Sequence, residues 1–149
     1  MMVLQFSGVL FATFFSTRQF YGLYLLSAIF SGLAFGIAYL ALGDASQMVG
    51  ASGSIMAVLV ATATYSPDMR VRLIFFGNVK LWVLSAVILG FDIVYLFVEN
   101  TGGHVAHLAG AFFGFLFVKL LQNGTDLSKP VTFIFEFFAN GFRLPEKPK

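Results

Sequence analysis

Cysteine is absent from this chain of 149 residues, which excludes a disulfide framework and any thiolate metal site. Charge is scarce as well. Asp, Glu, Lys and Arg together make up 11%, against about 25% in ordinary soluble domains. The apolar opening, Met1 to Phe15, has neither a basic stretch before it nor an A-x-A-like site after it. It therefore does not read as a cleavable signal peptide, but as part of a membrane helix.

What is present is mostly apolar. Hydrophobic residues reach 58%, with twenty phenylalanines. The length suits one domain rather than two. A soluble fold of this size could not cover so much apolar surface, so the bilayer is the expected solvent and a polytopic, all-α bundle of transmembrane helices the expected fold.

Turn signals divide the apolar stretches. Met1–Phe15 is followed by Ser16-Thr17-Arg18-Gln19. Phe20–Leu42 is a full span whose Gly32 and Gly36 form a Gly-x-x-x-Gly pair, a pattern that admits a neighbouring helix. Gly43–Gly50 is a polar loop, Ser52–Tyr65 a short apolar stretch, and Leu73–Val98 a long one carrying Asp92. After the loop Glu99–Gly103, His104–Leu121 is the last span. The tail beyond Pro130 is rich in phenylalanine but too short to cross; it reads either as an interfacial segment on the inner leaflet or as a loosely packed tail.

Length makes Ser52–Tyr65 unusual. As a helix it rises only about 21 Å, whereas the hydrocarbon core is roughly 30 Å thick. One end must stop within the membrane, and the preceding loop must dip to meet it. Irregular backbone at that depth is tolerated only inside protein or beside water, so a wet cavity is expected at Gly50–Ser52. If the segments alternate, all nine Lys and Arg residues fall on one side, while Asp44 and Glu99 lie in the opposite loops. The positive-inside rule then opens that cavity to the outer side and leaves the C-terminus on the inner, cytoplasmic side.

Gly50-Ala51-Ser52-Gly53 is weak evidence alone, because small residues at a helix start often serve close packing. His107 alone is ambiguous too, although an ionisable residue within a span is a functional candidate. Together they say more. Ser52 would stand at a helix N-terminus, where free N–H groups favour developing negative charge, as an acyl-transfer nucleophile requires. His107 would lie at similar depth, about a turn into the last span. Gly110 and Gly114 follow on the same helix face and allow the close approach that brings an imidazole toward a serine hydroxyl.

These segments resemble the rhomboid family of intramembrane serine proteases. Gly50-Ala51-Ser52-Gly53 is similar to its GxSG motif, and His107-Leu108-Ala109-Gly110-Ala111-Phe112-Phe113-Gly114 to its HxxGxxxG motif. Tyr24–Ile29 resembles part of the family's third helix and Gly90-Phe91-Asp92 a signature of its fifth. The resemblance covers residues 1–122, leaving 123–149 as an inner-side tail. It implies a serine endopeptidase that cleaves transmembrane segments with a Ser52–His107 dyad and no acidic third member. It further implies an oxyanion site at the backbone of Gly50 and Ser52, and close helix packing at Gly53, Gly110 and Gly114. The implied partners are transmembrane protein substrates and the lipid bilayer, without nucleic acid. A bacterial cytoplasmic membrane is the simplest location.

Three departures qualify the match. The family's His-x-x-x-Asn motif on its second helix has no counterpart, since the first asparagine is Asn78 and the first histidine His104. Ungapped alignment puts the missing asparagine immediately before Met1. The chain is therefore expected to begin within the second helix, without the first, and to be poorly active by itself. Ala12 stands where a glutamate is common, and Met56 where an aromatic residue commonly stacks on the histidine.

His104 and His107 form an H-x-x-H pair, but no further His or Cys exists and the nearest carboxylate in sequence, Glu99, is in a loop. The expectation is therefore no metal and no cofactor. Asp92 reads more readily as a hydrogen-bonded or water-facing structural residue than as a catalytic one. Two rival functions stay open: a catalytically inactive rhomboid-like protein that binds membrane clients, and a small transporter or unrelated scaffold.

Overall fold

The computed structural model describes residue 9 and residues 11–43, 51–73, 77–98 and 100–139. Residues 11–14 are helical and lead to the first long helix, α1 (Thr17–Leu42). The Ser16-Thr17-Arg18-Gln19 turn is the start of that helix. Ser16 Oγ accepts from the Gln19 amide at 3.3 Å, and Gln19 Oε1 accepts from the Ser16 amide at 2.9 Å, a reciprocal capping box. Then follow α2 (Ser52–Tyr65), β1 (Arg70–Leu73), β2 (Gly77–Lys80), α3 (Leu81–Tyr95), α4 (Thr101–Gln122) and α5 (Ser128–Ala139). The fold is an all-α bundle with, among the described residues, one small hairpin.

Among the described residues two helices are long and apolar enough to cross a membrane: Thr17–Ala41, at 25 residues, and Thr101–Gln122, at 22. The apolar α2 and α3 are shorter, with 14 and 15 residues. On α1 the two faces differ sharply. Leu23, Ser27 and Ser31 are fully buried, whereas Ile29, Leu33, Ile37 and Leu40 are exposed. An outward face made of large aliphatic side chains is what lipid would cover.

The long apolar run Leu73–Val98 does not form one helix. Its first part is the second half of the hairpin, with Arg70 opposite Lys80 and Leu73 opposite Gly77. The reason lies in Arg70-Val71-Arg72-Leu73, where polar and apolar residues alternate with the period of a strand; Val71 is buried while both arginines point out. Gly77, at φ +68°, supplies a left-handed residue at the turn. The Leu81 amide donates to Met69 O at 2.8 Å, and α3 starts there.

Two buried clusters hold the bundle. Phe11, Phe15, Leu23, Ala57, Val58, Ala61, Phe117 and Val118 join residues 11–15 to α1, α2 and α4. Met56, Leu59, Ala63, Val71 and Leu81 join α2 to the hairpin and α3. The tail is a helix. Asp126 Oδ1 accepts from the Ser128 amide at 2.9 Å, capping α5, and Pro130 falls in the first turn, where its missing N–H breaks no intrahelical bond. The α5 helix packs on α1, where Ser128 sits against Gly22 and Arg18 pairs with Glu136 at 3.2 Å.

Gly32 and Gly36 do not mark a helix contact among the described residues: a Cβ at either position would meet nothing within 4 Å. The close approaches in this bundle are made elsewhere.

Candidate active site

Ser52 is the first residue of α2. Its N-cap, Ala51, provides no side-chain hydrogen bond. The first backbone bond of the helix runs from the Ile55 amide to Ala51 O at 3.1 Å. The amides of Ser52, Gly53 and Ser54 precede that bond, so the helix itself does not use them. Ser52 is half-buried. Gly50, at the start of the wet cavity expected at Gly50–Ser52, lies outside the described residues.

Glycine lets α2 and α4 meet closely, and among the described residues theirs is the most extensive helix contact. A Cβ on Gly110 would overlap the Gly53 carbonyl, and one on Gly114 the Ala57 carbonyl. From the other side, a Cβ on Gly53 would come 3.0 Å from Ala106 O and 2.7 Å from Ser31 Cβ. Ser52 adjoins Gly53 in sequence and His107 adjoins Ala106, so both flank one crossing point. Among the described residues their side chains are not within hydrogen-bond distance of each other. Met56 is buried in the cluster shared with the hairpin and α3.

The third helix adds a group that sequence reasoning had left outside the site. Asp92 is buried, with its side chain 7% exposed. Its Oδ1 lies 2.9 Å from His107 Nδ1 and 2.7 Å from His104 Nδ1. With both imidazoles neutral, each donates its Nδ1–H to that oxygen and leaves Nε2 as an acceptor. Asp92 Oδ2 is buried without a hydrogen-bond partner. The two rings stand edge to face, 6.2 Å apart, and Tyr95 stacks on His104 with ring centres 6.3 Å apart.

A ligand-bearing atom from each of Asp92, His104 and His107 lies within 4.8 Å of the other two. The case against a metal rested on the lack of a nearby carboxylate, and it looked along the chain. Asp92 is fifteen residues from His107 and reaches it only because α3 folds back on α4. A usable signal was present: a carboxylate inside an apolar helix needs a partner, and the H-x-x-H pair was the nearest source of donors.

Comparison with known proteins follows this geometry. Residues 1–123 match the model of the Rhomboid domain. The human presenilin-associated rhomboid-like protein, mitochondrial, is 32% identical over 108 residues, covering 68% of this chain and 27% of the relative. The mouse protein of that name is 31% identical over the same length, covering 68% and 28%. The zebrafish presenilin-associated rhomboid-like protein A, mitochondrial, is 31% identical, covering 68% and 27%. The chain thus spans about a quarter of the length of these relatives. No solved structure matches. The relatives' names refer to mitochondria, which does not favour the bacterial cytoplasmic membrane expected above. With a helical membrane bundle and a family match over most of its length, the chain belongs to the rhomboid family.

Proposed function

We propose that this chain carries the catalytic centre of an intramembrane serine endopeptidase, with Ser52 as nucleophile and His107 as base. One observation supports the reading above the others. The α2–α4 crossing at Gly53, Ala106 and Gly110 sets the N-terminus of the serine's helix beside the turn that bears an oriented histidine. Gly53, Gly110 and Gly114 act here as packing residues, because any side chain would force the two helices apart.

In this mechanism Asp92 holds the Nδ1 proton of His107, which leaves Nε2 to accept the proton of Ser52. Ser52 Oγ attacks a peptide carbonyl of a transmembrane substrate, and the carbonyl becomes a tetrahedral oxyanion. The Ser52 amide and the N-terminal end of α2 stabilise that charge, with Gly50 in the adjoining loop as a further backbone contributor. His107 returns the proton to the leaving amine, and an acyl-enzyme remains. Water, deprotonated by the same Nε2, then releases the second product. The dyad implied by family resemblance thereby becomes a triad-like relay in geometry, with Asp92 as a positioning residue. If the segments alternate across the bilayer, the basic residues fall on one side; the site then opens to the opposite, outer side, and the bilayer delivers the substrate. The relatives' names favour a mitochondrial membrane.

A serine-reactive fluorophosphonate tests this reading directly. The upstream-extended protein, expressed in membranes, is expected to label at Ser52. Ser52→Ala should abolish labelling, and His107→Ala should slow it by about 10³-fold or more. Labelling that survives Ser52→Ala, or none at all in folded protein, rejects the protease. The second outcome favours the inactive client-binding alternative.

A further inference from the structure

We propose that Asp92, His104 and His107 form a binding site for one divalent transition-metal ion of the Zn2+ type, and that occupancy switches His107 off as a base. The proposal rests on the functional reading above for its second half only.

The donor set comes first. Two imidazole nitrogens and one carboxylate oxygen converge from two helices within 4.8 Å. Such a borderline N,N,O set suits zinc or copper, whereas magnesium and calcium prefer all-oxygen shells. Tetrahedral coordination at about 2.0–2.1 Å separates ligand atoms by roughly 3.3 Å. The Asp92–His104 and Asp92–His107 pairs stand at 2.7 and 2.9 Å, so each opens by about half an ångström to admit an ion, with water as the fourth ligand.

A second observation is independent of the distances. Asp92 Oδ2 is buried with no partner, on a carboxylate whose side chain is 7% exposed. An unpaired acceptor on a buried carboxylate is costly, and a cation bound at Oδ1 offsets the carboxylate's charge, which two neutral imidazoles do not. The histidines keep the site reachable, with side chains 20% and 29% exposed.

The switch follows from tautomer chemistry. While His107 donates Nδ1–H to Asp92, Nε2 is free to take a proton from Ser52. A metal at Nδ1 displaces that proton to Nε2, with no net proton lost from the imidazole. The Nε2–H so formed can donate to a serine oxygen but cannot accept its proton. Hydrogen-bonded and metal-bound states of His107 are therefore mutually exclusive, and only the first has a base.

The test uses the upstream-extended protein in detergent micelles, with zinc chloride titrated against a chromophoric chelator and fluorophosphonate labelling followed in parallel. One Zn2+ per chain is expected, and His104→Gln should weaken binding by about 100-fold or more. Zinc should suppress labelling of the unmodified chain, labelling of His104→Gln should resist zinc when measured against its own zinc-free rate, and magnesium should suppress neither. Co2+ replacing zinc should show the visible spectrum of a four-coordinate site that His104→Gln removes, a readout independent of activity. Sub-stoichiometric binding, or binding unchanged in His104→Gln, overturns the site. Stoichiometric binding with undiminished labelling overturns the switch. If the chain binds one zinc through His104 but never labels, the metal site stands while the switch and the protease reading fall together.

Discussion

The fourth helix is held on its two sides by opposite means. Toward α2 it presents Gly110 and Gly114, and the backbones touch. Toward α3 it presents His104 and His107, which meet one buried carboxylate. The first contact is steric and has no spare room. The second is polar and can exchange its partner. Of α3 only Leu81, Ser85 and Asp92 are fully buried; Leu84, Ile88 and Leu89 pack in part against the core, whereas Phe91 and Val94 are 61% and 66% exposed. A nucleophile must be fixed to within a fraction of an ångström, whereas the group that orients its base needs only a donor–acceptor match. The difference between the two contacts follows that division of labour.

Breaking the steric contact should have the largest effect. Gly110→Leu or Gly114→Val forces a side chain into the Gly53 or Ala57 carbonyl. A loss above about 4 kcal/mol is expected, enough to unfold the bundle; proteolysis of the membrane-inserted protein reads it. Gly32→Ala and Gly36→Ala, where a Cβ meets nothing within 4 Å, should instead be neutral or stabilise by about 0.5–1 kcal/mol.

Breaking the polar contact should spare the fold and damage the chemistry. Asp92→Asn is expected to slow acylation of Ser52 by about 10²–10⁴-fold, with KM for a transmembrane substrate little changed. The 15N shifts of His107 should report loss of the Nδ1–H tautomer. A variant that keeps both the wild-type rate and the tautomer removes Asp92 from the mechanism.

Surface polar contacts sharpen the comparison, since burial is what gives the Asp92 contact its weight. Arg18 and Glu136 pair at 3.2 Å across α1 and α5, with side chains 74% and 39% exposed. Arg18→Ala should change unfolding stability by no more than about 1 kcal/mol. The smallest effect belongs to the hairpin. The Lys80 ammonium, bonded to Asp68 at 2.7 Å, holds that carboxyl below its ordinary value through the hydrogen bond and then through charge, with Arg70 adding to the charge effect. A depressed carboxyl contributes stability above its unfolded pKa and loses it as pH falls through the folded one. Lys80→Met should return the NMR titration midpoint of Asp68 toward normal without a measurable change in thermal midpoint.

Much of the fold was legible because the signals were local. Ser52–Tyr65 is a helix with the bounds its composition implies, and the spans α1 and α4 follow from apolar length. Leu73–Val98 reads as one apolar stretch along the chain, because the strand within it, Gly77–Lys80, is only four residues long. The Gly-x-x-x-Gly pair on α1 shows the opposite failure. The pattern permits a close neighbour but does not supply one. Within the candidate site, Ser52 and His107 could be singled out by residue type, since a helix-start serine and a histidine within a span are rare in such surroundings. His104 and Asp92 could not be joined to them, because nothing along the chain states which helix faces which.

The sequence by itself determined that this is a membrane bundle of the rhomboid family and that α2 is too short to cross alone, and it singled out the two residues proposed here for acyl-transfer chemistry. Those properties depend on composition, length and motif, which are written residue by residue. Tertiary structure alone decided that α3 folds back to bring one buried carboxylate to two histidines, and that the glycines on α4, not those on α1, are pressed against a neighbour. Both depend on which faces meet, and facing is settled by packing between segments that are distant in the chain.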